Sequence, residues 1–329
     1  MIPARAKLAD LATAAGVSTA TVSRVLNGKP GVAKSTRSQV LATIEALGYQ
    51  LEQDEPEHKG FIAVILPELA NPSFAAFATE LSLQLSAADQ HMILCTSGPG
   101  ATSEVAYLDA LLRTEIAGII SVSGTLADSL ASPEHYRRIS GDLPTVFINS
   151  YNQTVPAAFF SSSDAEAVAI SVAHLGAFGH EKIGLAVGQQ RYLPTQRKIA
   201  AFQALGFTRS SIASTIFSVE GGQAAAARLY DSGHTALVCG SDVMALGAIR
   251  EARARGLDVP GDISVVGYDD SALMAFTSPA LTTVRQPVPA MCQAAVGALL
   301  ASTRGRPVEH SEMMFHPDLI IRQSTGPRS

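Results

Sequence analysis

From residue 61 onward, short apolar runs alternate with segments of helical spacing, and this alternation limits the possible folds more than any other feature. Each run has four to six residues, which suits a buried strand and is too short for a core helix. Regular alternation of strands and helices is typical of a parallel sheet covered by helices on both faces. We predict the strands at 61–66, 92–96, 117–122, 144–148, 182–187, 236–239 and 264–267.

The intervening segments complete an α/β pattern. Because the order of elements occurs roughly twice, the pattern favours two similar lobes. Ligands of parallel sheets bind at the carboxyl ends of the strands, so we expect a binding cleft between the lobes. We predict the helices at 74–88, 103–113, 165–178, 195–205, 223–232, 243–255 and 290–301.

Residues 1–49 have another pattern, which predicts a helix-turn-helix headpiece. Gly16 can take the left-handed backbone that a tight turn needs, and Ser18 can cap the helix that follows. Two helices that cross near a right angle need a small residue at the crossing and an apolar residue facing it. Ala12 and Val22 have this spacing around the glycine. We predict the three helices at 7–15, 19–27 and 35–47.

Charge is spread unevenly along the chain. The headpiece carries six basic and two acidic residues, a net charge of +4, whereas the rest of the chain carries −9. A basic head on an acidic body predicts that only the head contacts a polyanion. An apolar content of 47% suffices for a sizeable core and excludes global disorder. The longest apolar stretches are far shorter than the ~18 residues of a membrane span, so no membrane contact is expected.

Cys95, Cys239 and Cys292 are odd in number and far apart, which favours reduced thiols over a disulfide framework. The first thirty residues contain no apolar segment of the secretory-signal type. We therefore expect a cytoplasmic protein.

The headpiece carries a specific motif. The run Leu11-Ala-Thr-Ala-Ala-Gly-Val-Ser-Thr-Ala-Thr-Val-Ser-Arg-Val-Leu-Asn27 resembles the headpiece of the LacI/GalR family of bacterial transcription regulators. The resemblance implies binding to a double-stranded DNA operator, with Thr19, Ala20 and Arg24 facing base edges in the major groove. The DNA-binding surface implied in this way comprises Ser18, Thr19, Ala20, Thr21, Ser23, Arg24 and Asn27.

The body is similar to the same family along its length. Segments such as Asn71-Pro-Ser-Phe74 and Val259-Pro-Gly-Asp-Ile-Ser-Val-Val-Gly-Tyr-Asp-Asp270 look like family signatures in the right order. The resemblance implies that 61–329 is a two-lobed, periplasmic-binding-protein-like domain for effector binding and dimerisation. The chain would cross between the lobes near 159, 285 and 315. Lobe 1 would then comprise about 61–158 and 287–314, and lobe 2 about 159–285 and 315–329.

The resemblance also implies an effector site in the cleft. Three positions differ from the family's usual residues: Gln196 replaces an arginine, Ser241 an asparagine and Asn149 an aspartate. Because a fixed positive charge is lost and we expect Arg197 to face away, a neutral sugar or polyol is the expected effector. The site carried over in this way comprises Phe74, Asn149, Gln196, Ser241, Asp269 and Gln286.

The linker at 50–60 departs from the family pattern. Family members have a short hinge helix here, and its leucine inserts into the minor groove. In this chain the stretch contains four carboxylates, which would be repelled by DNA phosphates. It also contains Pro56, which would interrupt a helix. We expect an acidic, solvated linker, with Leu51 as the apolar candidate for a minor-groove contact.

Catalytic motifs are absent from the sequence, which has neither a phosphate-binding glycine loop nor a nucleophile elbow. The eight histidines lack metal-ligand spacing, so neither a metal nor a cofactor is expected. We predict a homodimeric transcriptional regulator, a repressor like most family members, and not an enzyme. The alternative is a regulator that needs no small effector or responds to a protein partner, with a body that only dimerises.

Overall fold

The computed structural model describes residues 8–26, 32–46, 60–98, 102–305 and 310–328. These residues belong to two compact units, Met1–Lys59 and Gly60–Ser329. The predictions for Asn27 and for the linker up to residue 59 lie outside the described residues.

The first unit is the predicted helix-turn-helix. Its helices are α1 Leu8–Ala14, α2 Thr19–Leu26 and α3 Lys34–Ala46. Gly16 has a φ of 63°, which confirms the left-handed turn between the first two helices. Ser18 Oγ accepts a hydrogen bond from Thr21 N at 3.1 Å and caps α2. The buried apolar faces of the three helices meet at Leu11, Ala12, Ala15, Val22, Val25, Val40 and Ile44.

The second unit contains two six-stranded sheets. Its strands are β1 Phe61–Leu66, β2 Met92–Thr96, β3 Ile116–Val122, β4 Thr145–Ile148, β5 Ala158–Ser162, β6 Ile183–Val187, β7 Ile212–Ser214, β8 Ala236–Cys239, β9 Ser264–Asp269, β10 Thr282–Arg285, β11 Ser311–Phe315 and β12 Asp318–Ile320. Its helices are α4 Pro72–Ala87, α5 Glu104–Leu111, α6 Glu134–Ile139, α7 Asp164–Ala177, α8 Leu193–Ala204, α9 Val219–Asp231, α10 Asp242–Ala254 and α11 Val288–Thr303. Every predicted strand and helix is present, and the elements not predicted are α6, β5, β7, β10, β11 and β12.

The two sheets repeat one topology. The strand orders are β11-β5-β4-β3-β1-β2 and β12-β10-β9-β8-β6-β7. All neighbouring strands are parallel except β12, which runs antiparallel to β10. This arrangement confirms the two-lobed α/β fold.

The chain passes between the sheets three times. The first passage follows Ser162, a few residues beyond the predicted crossing near 159, because β5 pairs with β4 and belongs to the first sheet. The second passage lies between β10 and α11, and the third between β11 and β12. We define lobe 1 by the described residues of 60–162 and 288–315, and lobe 2 by those of 163–287 and 316–328.

Helices cover both faces of each sheet. In lobe 1, α4 and α11 bury apolar side chains on one face, and α5 and α6 do so on the other. In lobe 2, α9 and α10 cover one face, and α7 and α8 the other. The three cysteines are free and buried in these cores. Among the described residues, none forms a helix with the length and hydropathy needed to cross a membrane.

Helices α9 and α10 approach each other closely at two glycines. A Cβ atom on Gly247 would lie 2.0 Å from the carbonyl oxygen of Val219, and one on Gly222 would lie 2.1 Å from that of Met244. Both neighbours are backbone atoms, which cannot yield unless the helices separate. The two glycines therefore permit the close helix pair that covers one face of the lobe 2 sheet.

We expect Gly247→Ala to lower the free energy of unfolding by about 1–3 kcal/mol, because the added methyl group overpacks this contact. Gly176→Ala on α7 is the matched control, since a Cβ atom there meets nothing within 4 Å. The control should gain up to about 1 kcal/mol, because alanine has the higher helix propensity. Urea unfolding measures both changes, and equal stability of the two variants would contradict the close packing.

Candidate functional site

The predicted DNA-contact residues lie on and beside the exposed part of α2. Ser18, Thr19, Ala20 and Arg24 are exposed, while Thr21 and Ser23 are half-buried. Val22 and Val25 point into the headpiece core instead. The structure thus presents six of the seven predicted residues near one helix, and Asn27 lies outside the described residues.

This part of the headpiece has the chemistry for binding a nucleic acid. The Ser18 and Thr21 hydroxyls lie 2.9 Å apart at the start of α2. The N–H groups and partial positive charge of a helix N-terminus favour a phosphate there. Arg24 can form a bidentate contact with guanine, whereas Ala20 can offer only an apolar contact, as to a thymine methyl group.

Three of the six predicted effector residues meet where the strands of the two sheets end. Asn149 follows β4 in lobe 1, Asp269 ends β9 in lobe 2, and Gln286 lies on the second passage. Asn149 and Asp269 have φ angles of 54° and 122°, in the region that residues other than glycine rarely adopt. Such strained backbone is concentrated at binding and catalytic sites.

A chain of hydrogen bonds connects these residues and joins the lobes. Gln286 Nε2 donates to Asp269 Oδ1 at 2.7 Å, and Asn149 Nδ2 donates to Gln286 Oε1 at 2.9 Å. Ser73, near the start of α4 in lobe 1, donates its hydroxyl to Asp269 Oδ1 at 3.1 Å. Asn149 Oδ1 in turn accepts a bond from Ser162 N at 3.2 Å. Asp269 therefore accepts donors from lobe 1 and from the passage.

Two acidic side chains of lobe 2 influence each other at this point. Burial and the negative charge of Asp242 raise the pKa of Asp269 to about 8, against the hydrogen bonds from Gln286 and Ser73. Burial also raises the pKa of Asp242 to about 6, although Thr283 Oγ1 donates to its carboxylate at 2.5 Å. Burial thus disfavours the anionic form of Asp269, and additional hydrogen-bond donors would favour it.

Lys198 and Asp164 form a buried ion pair next to this network, and both side chains are only 6% exposed. The Lys198 ammonium lies 3.9 Å from the centroid of the Tyr268 ring. Asp269 follows Tyr268 in the chain, and the positive charge of Lys198 acts to lower the pKa of Asp269. Position 196 lacks the positive charge of the family's usual arginine, but Lys198 carries a positive charge two residues later. Asp164 already neutralises that charge.

The sequence contained a signal for Lys198. Thr195, Lys198 and Phe202 form the buried face of α8 at helical spacing. A lysine on an otherwise buried face requires an acidic partner, because an isolated charge is costly to bury. Asp164 lies 34 residues earlier in the chain, so the partner was not apparent from the pattern.

Gln196 and Arg197 contact lobe 1 at different places. Gln196 is exposed, and its amide donates to Ser129 Oγ at 3.0 Å. The Arg197 guanidinium makes a bidentate contact with Glu312 on β11, with distances of 2.7 and 2.8 Å. Gln196 is therefore not part of the Asp269 network. The charge of Arg197 is neutralised by Glu312.

Asp270, next to Asp269, is likewise neutralised. Arg285 Nε lies 2.7 Å from one of its oxygens, and Arg322 Nη2 lies 2.6 Å from the other.

Aromatic rings lie near the strand ends of lobe 2 and near the start of α4 in lobe 1. The Phe217 ring lies across the ends of β6 and β8, where a Cβ atom on Gly188 would be 2.0 Å and one on Gly240 3.4 Å from it. Its centroid is 6.4 Å from that of Tyr192. Phe74, near the start of α4, is half-buried on the lobe 1 side. Sequence reasoning missed Phe217, and the glycines that follow two neighbouring strands were its signal.

Hydroxyl groups complete the polar surroundings. Ser241 caps α10, with its hydroxyl accepting from Met244 N at 3.3 Å. Ser150 and Thr195 are fully buried, and within the described ranges their hydroxyl oxygens have no hydrogen-bond partner. A cavity of about 470 Å³ lies on the α4 side of Asp269. Over the part of the chain that the structure describes, no group of three His, Cys, Asp or Glu side chains is placed to hold a metal ion.

Two protein-family models match this chain. That of bacterial regulatory proteins, lacI family, matches residues 7–51, which include the helix-turn-helix. That of the periplasmic binding protein-like domain matches residues 172–325, which include most of lobe 2.

Relatives match almost the whole length. The HTH-type transcriptional regulator MalR of Streptomyces coelicolor is 46% identical over 97% of this chain and 96% of its own. The lac repressor dimer bound to operator and the anti-inducer ONPF has a TM-score of 0.74 and 25% identity, covering 98% of this chain and 99% of that one. The transcriptional regulator CelR in complex with cellobiose has a TM-score of 0.71 and 26% identity, covering 97% and 100%.

These proteins share with this chain both the DNA-binding headpiece and the two-lobed body. The chain therefore belongs to the LacI family of bacterial transcriptional regulators.

Proposed function

We propose that this protein is a cytoplasmic repressor that binds its operator through α2 and binds a neutral sugar or polyol between its lobes. The observation that carries the effector class is the hydrogen-bond chain Asn149–Gln286–Asp269–Ser73, which joins both lobes at the strand ends. Its amides and carboxyl group match the alternating donors and acceptors of a polyol. A ligand in this position interacts differently with open and closed lobes, so it can shift operator affinity by linkage.

The charges around the cleft favour a neutral ligand. Lys198 is paired with Asp164, Arg197 with Glu312, and Asp270 with two arginines. Asp269 and Asp242 are held by hydrogen bonds from neutral groups instead. A phosphate or carboxylate in the cleft would therefore meet carboxyl groups while the nearby cations are already neutralised.

The apolar surfaces favour a sugar in particular. Phe217 and Phe74 offer rings on the two lobes, and a pyranose or furanose ring presents apolar C–H faces that pack on aromatic rings. CelR, which has the same fold, was solved with cellobiose bound.

We infer that the protein acts as a homodimer, the form in which the lac repressor was solved on its operator. Leu83, Leu94, Leu273 and Phe276 are exposed apolar side chains, and Phe276 is 84% exposed. Leu273 borders the same cavity as α4, which places this side of α4 beside the segment that contains Phe276. Burial of such side chains against a second copy stabilises a dimer. A two-fold dimer presents two headpieces to a near-palindromic site.

We expect Arg24→Ala to weaken operator binding by about 1–3 kcal/mol and to relax the preference at one base pair, because a bidentate base contact is lost. The operator is first selected from a random duplex library. Lys34→Ala is the matched control, since it removes another exposed positive charge from the headpiece. The control should weaken operator and random DNA equally, through the salt-dependent attraction to phosphates. Fluorescence anisotropy measures both, and an unchanged operator-to-random ratio in Arg24→Ala would contradict the assignment.

We expect calorimetry to detect binding of neutral sugars, tested with ribose, maltose and cellobiose, and not of ribose 5-phosphate or glucose 6-phosphate. Asp269→Asn should weaken the binding at least about tenfold, because hydrogen bonds to a charged group are lost. Asp318→Asn, which alters an exposed carboxylate of lobe 2, should bind as the parent does. Binding of the phosphorylated sugars alone would contradict a neutral effector. If no sugar binds while operator binding is intact, the regulator without a small effector is favoured.

Sugar binding should also depend on pH. Ligand hydroxyls that donate to Asp269 favour its anionic form, so binding releases a proton at pH values below the free pKa of about 8. Affinity should then rise with pH, by up to about tenfold per unit, and level off above pH 8. Asp242, with its pKa of about 6, titrates lower, so the rise between pH 7 and 8 reports Asp269. Calorimetry in buffers of different ionisation heat measures the released proton, and a flat profile would refute the anionic role.

A further inference from the structure

A second set of contacts joins the lobes away from the chain passages. It links the loop at 123–130, which follows β3 in lobe 1, to the segment at 189–196 in lobe 2, which follows β6 and includes the first turn of α8. Asp128 and Tyr192 pair as an isolated antiparallel bridge. The backbone N–H and the hydroxyl of Ser129 both donate to the carbonyl oxygen of Arg191, at 2.8 and 2.7 Å.

Side chains strengthen this contact, which we name the clasp and define as Asp128, Ser129, Arg191, Tyr192 and Gln196. Gln196 Nε2 donates to Ser129 Oγ at 3.0 Å and to a carbonyl oxygen of its own lobe at 2.9 Å. Arg191 Nε lies 3.3 Å from Asp128 Oδ2. Ser129, Arg191 and Gln196 are exposed, so water competes for their bonds and the clasp can open and close again.

The clasp lies at a distance from the chain passages that act as the hinge between the lobes. The chain passages connect to β5, β10, β11 and β12, toward one edge of the two sheets. β3 lies two strands from β5, and β6 lies three strands from β10, which separates the clasp from the passages by about 10 Å or more. A contact at this distance from the hinge opposes rotation of one lobe away from the other.

A buried carboxylate holds the lobe 1 side of the clasp in place. Glu104, the first residue of α5, is only 5% exposed. Its Oε2 accepts Thr125 N at 2.5 Å and Thr125 Oγ1 at 2.6 Å. Its Oε1 accepts Ser121 Oγ at 2.8 Å and the Tyr136 hydroxyl. Four donors from β3, the loop and α6 therefore converge on one side chain, which fixes the loop three residues before Asp128.

We propose that the clasp locks the two lobes closed and that Glu104 is its positioning residue. The lock needs no ligand, because every bond in it joins two groups of the protein. Gln196 then acts as a latch between the lobes. A ligand in the cleft enters and leaves while the clasp is open, so the clasp sets the rate of exchange. Only this last consequence rests on the proposed function.

The test measures the distance between the lobes in the full chain without any sugar. Ala110→Cys in lobe 1 and Ser210→Cys in lobe 2 introduce exposed sites for spin labels, and the three native cysteines are buried. The labelled chain is mixed with an excess of unlabelled chain so that the labels measured lie within one protomer, and we then expect a single short-distance population in this labelled parent. Ser129→Ala and Gln196→Leu should each add a population at longer distance. Gln203→Leu, at an exposed position about two turns further along α8, is the matched control and should keep the parental distribution.

Glu104→Gln and Tyr136→Phe test the positioning role. Both variants should add the longer-distance population, and the effect should be larger in Glu104→Gln. If Glu104→Gln does not fold, Tyr136→Phe alone tests the positioning role. Hydrogen exchange at the Ser129 amide should accelerate at least tenfold while the amides of β3 keep their protection, which separates loop release from general destabilisation.

Two results would overturn the proposal. An open parent, or clasp variants that match Gln203→Leu, would refute the lock. Parental distances and exchange in both Glu104→Gln and Tyr136→Phe would refute the positioning role. Neither result depends on whether the protein binds a sugar, because all distances are measured without one.

Discussion

The Gln286 side chain makes the contact on which the arrangement of the two lobes depends. It lies on the second passage between the sheets, is only 5% exposed, and uses both ends of its amide. Its Nε2 donates to Asp269 in lobe 2, and its Oε1 accepts from Asn149 in lobe 1. A buried amide loses free energy when either end is unpaired, so rotation of one lobe requires another donor or acceptor to replace the lost bond. The hinge and the polar cleft are therefore parts of one structure.

Asp269 gives this hinge its chemistry. Its backbone conformation costs on the order of 1–3 kcal/mol, and burial raises its pKa to about 8. Both features are unfavourable for the isolated lobe. Hydrogen-bond donors that approach the carboxyl group reduce the cost of burying its charge. Lys198 acts against the raised pKa of Asp269 but is itself paired with Asp164, and the two nearby arginines, Arg285 and Arg322, are paired with Asp270. The hydroxyl groups of the neutral ligand that we propose would supply such donors.

The repeated topology explains how the two lobes are joined. Lobe 1 is complete only after α11 and β11 return from lobe 2, because α11 fills one face of its sheet and β11 forms its edge. β12 then pairs with β10 and completes lobe 2. Three passages on one side permit rotation and prevent separation. The exposed clasp and the buried Glu104 that supports it lie about 10 Å or more from these passages, so even weak bonds there oppose rotation of one lobe away from the other.

The sequence by itself determined the helix-turn-helix and the alternating elements of the body, which follow from residue periodicity and from Gly16 and Ser18 at a turn. Its resemblance to the LacI family implied that Asp269 and Gln286 lie in one cleft. Only the tertiary structure decided that Gln196 contacts Ser129, that Lys198 pairs with Asp164, and that the Phe217 ring covers two strand ends. Short strands such as β7 and β12 also escaped the pattern, because a three-residue strand carries no period of its own. Propensity and turn chemistry act over a few residues, whereas the partner of a buried charge is set by which distant segments the folded core brings together.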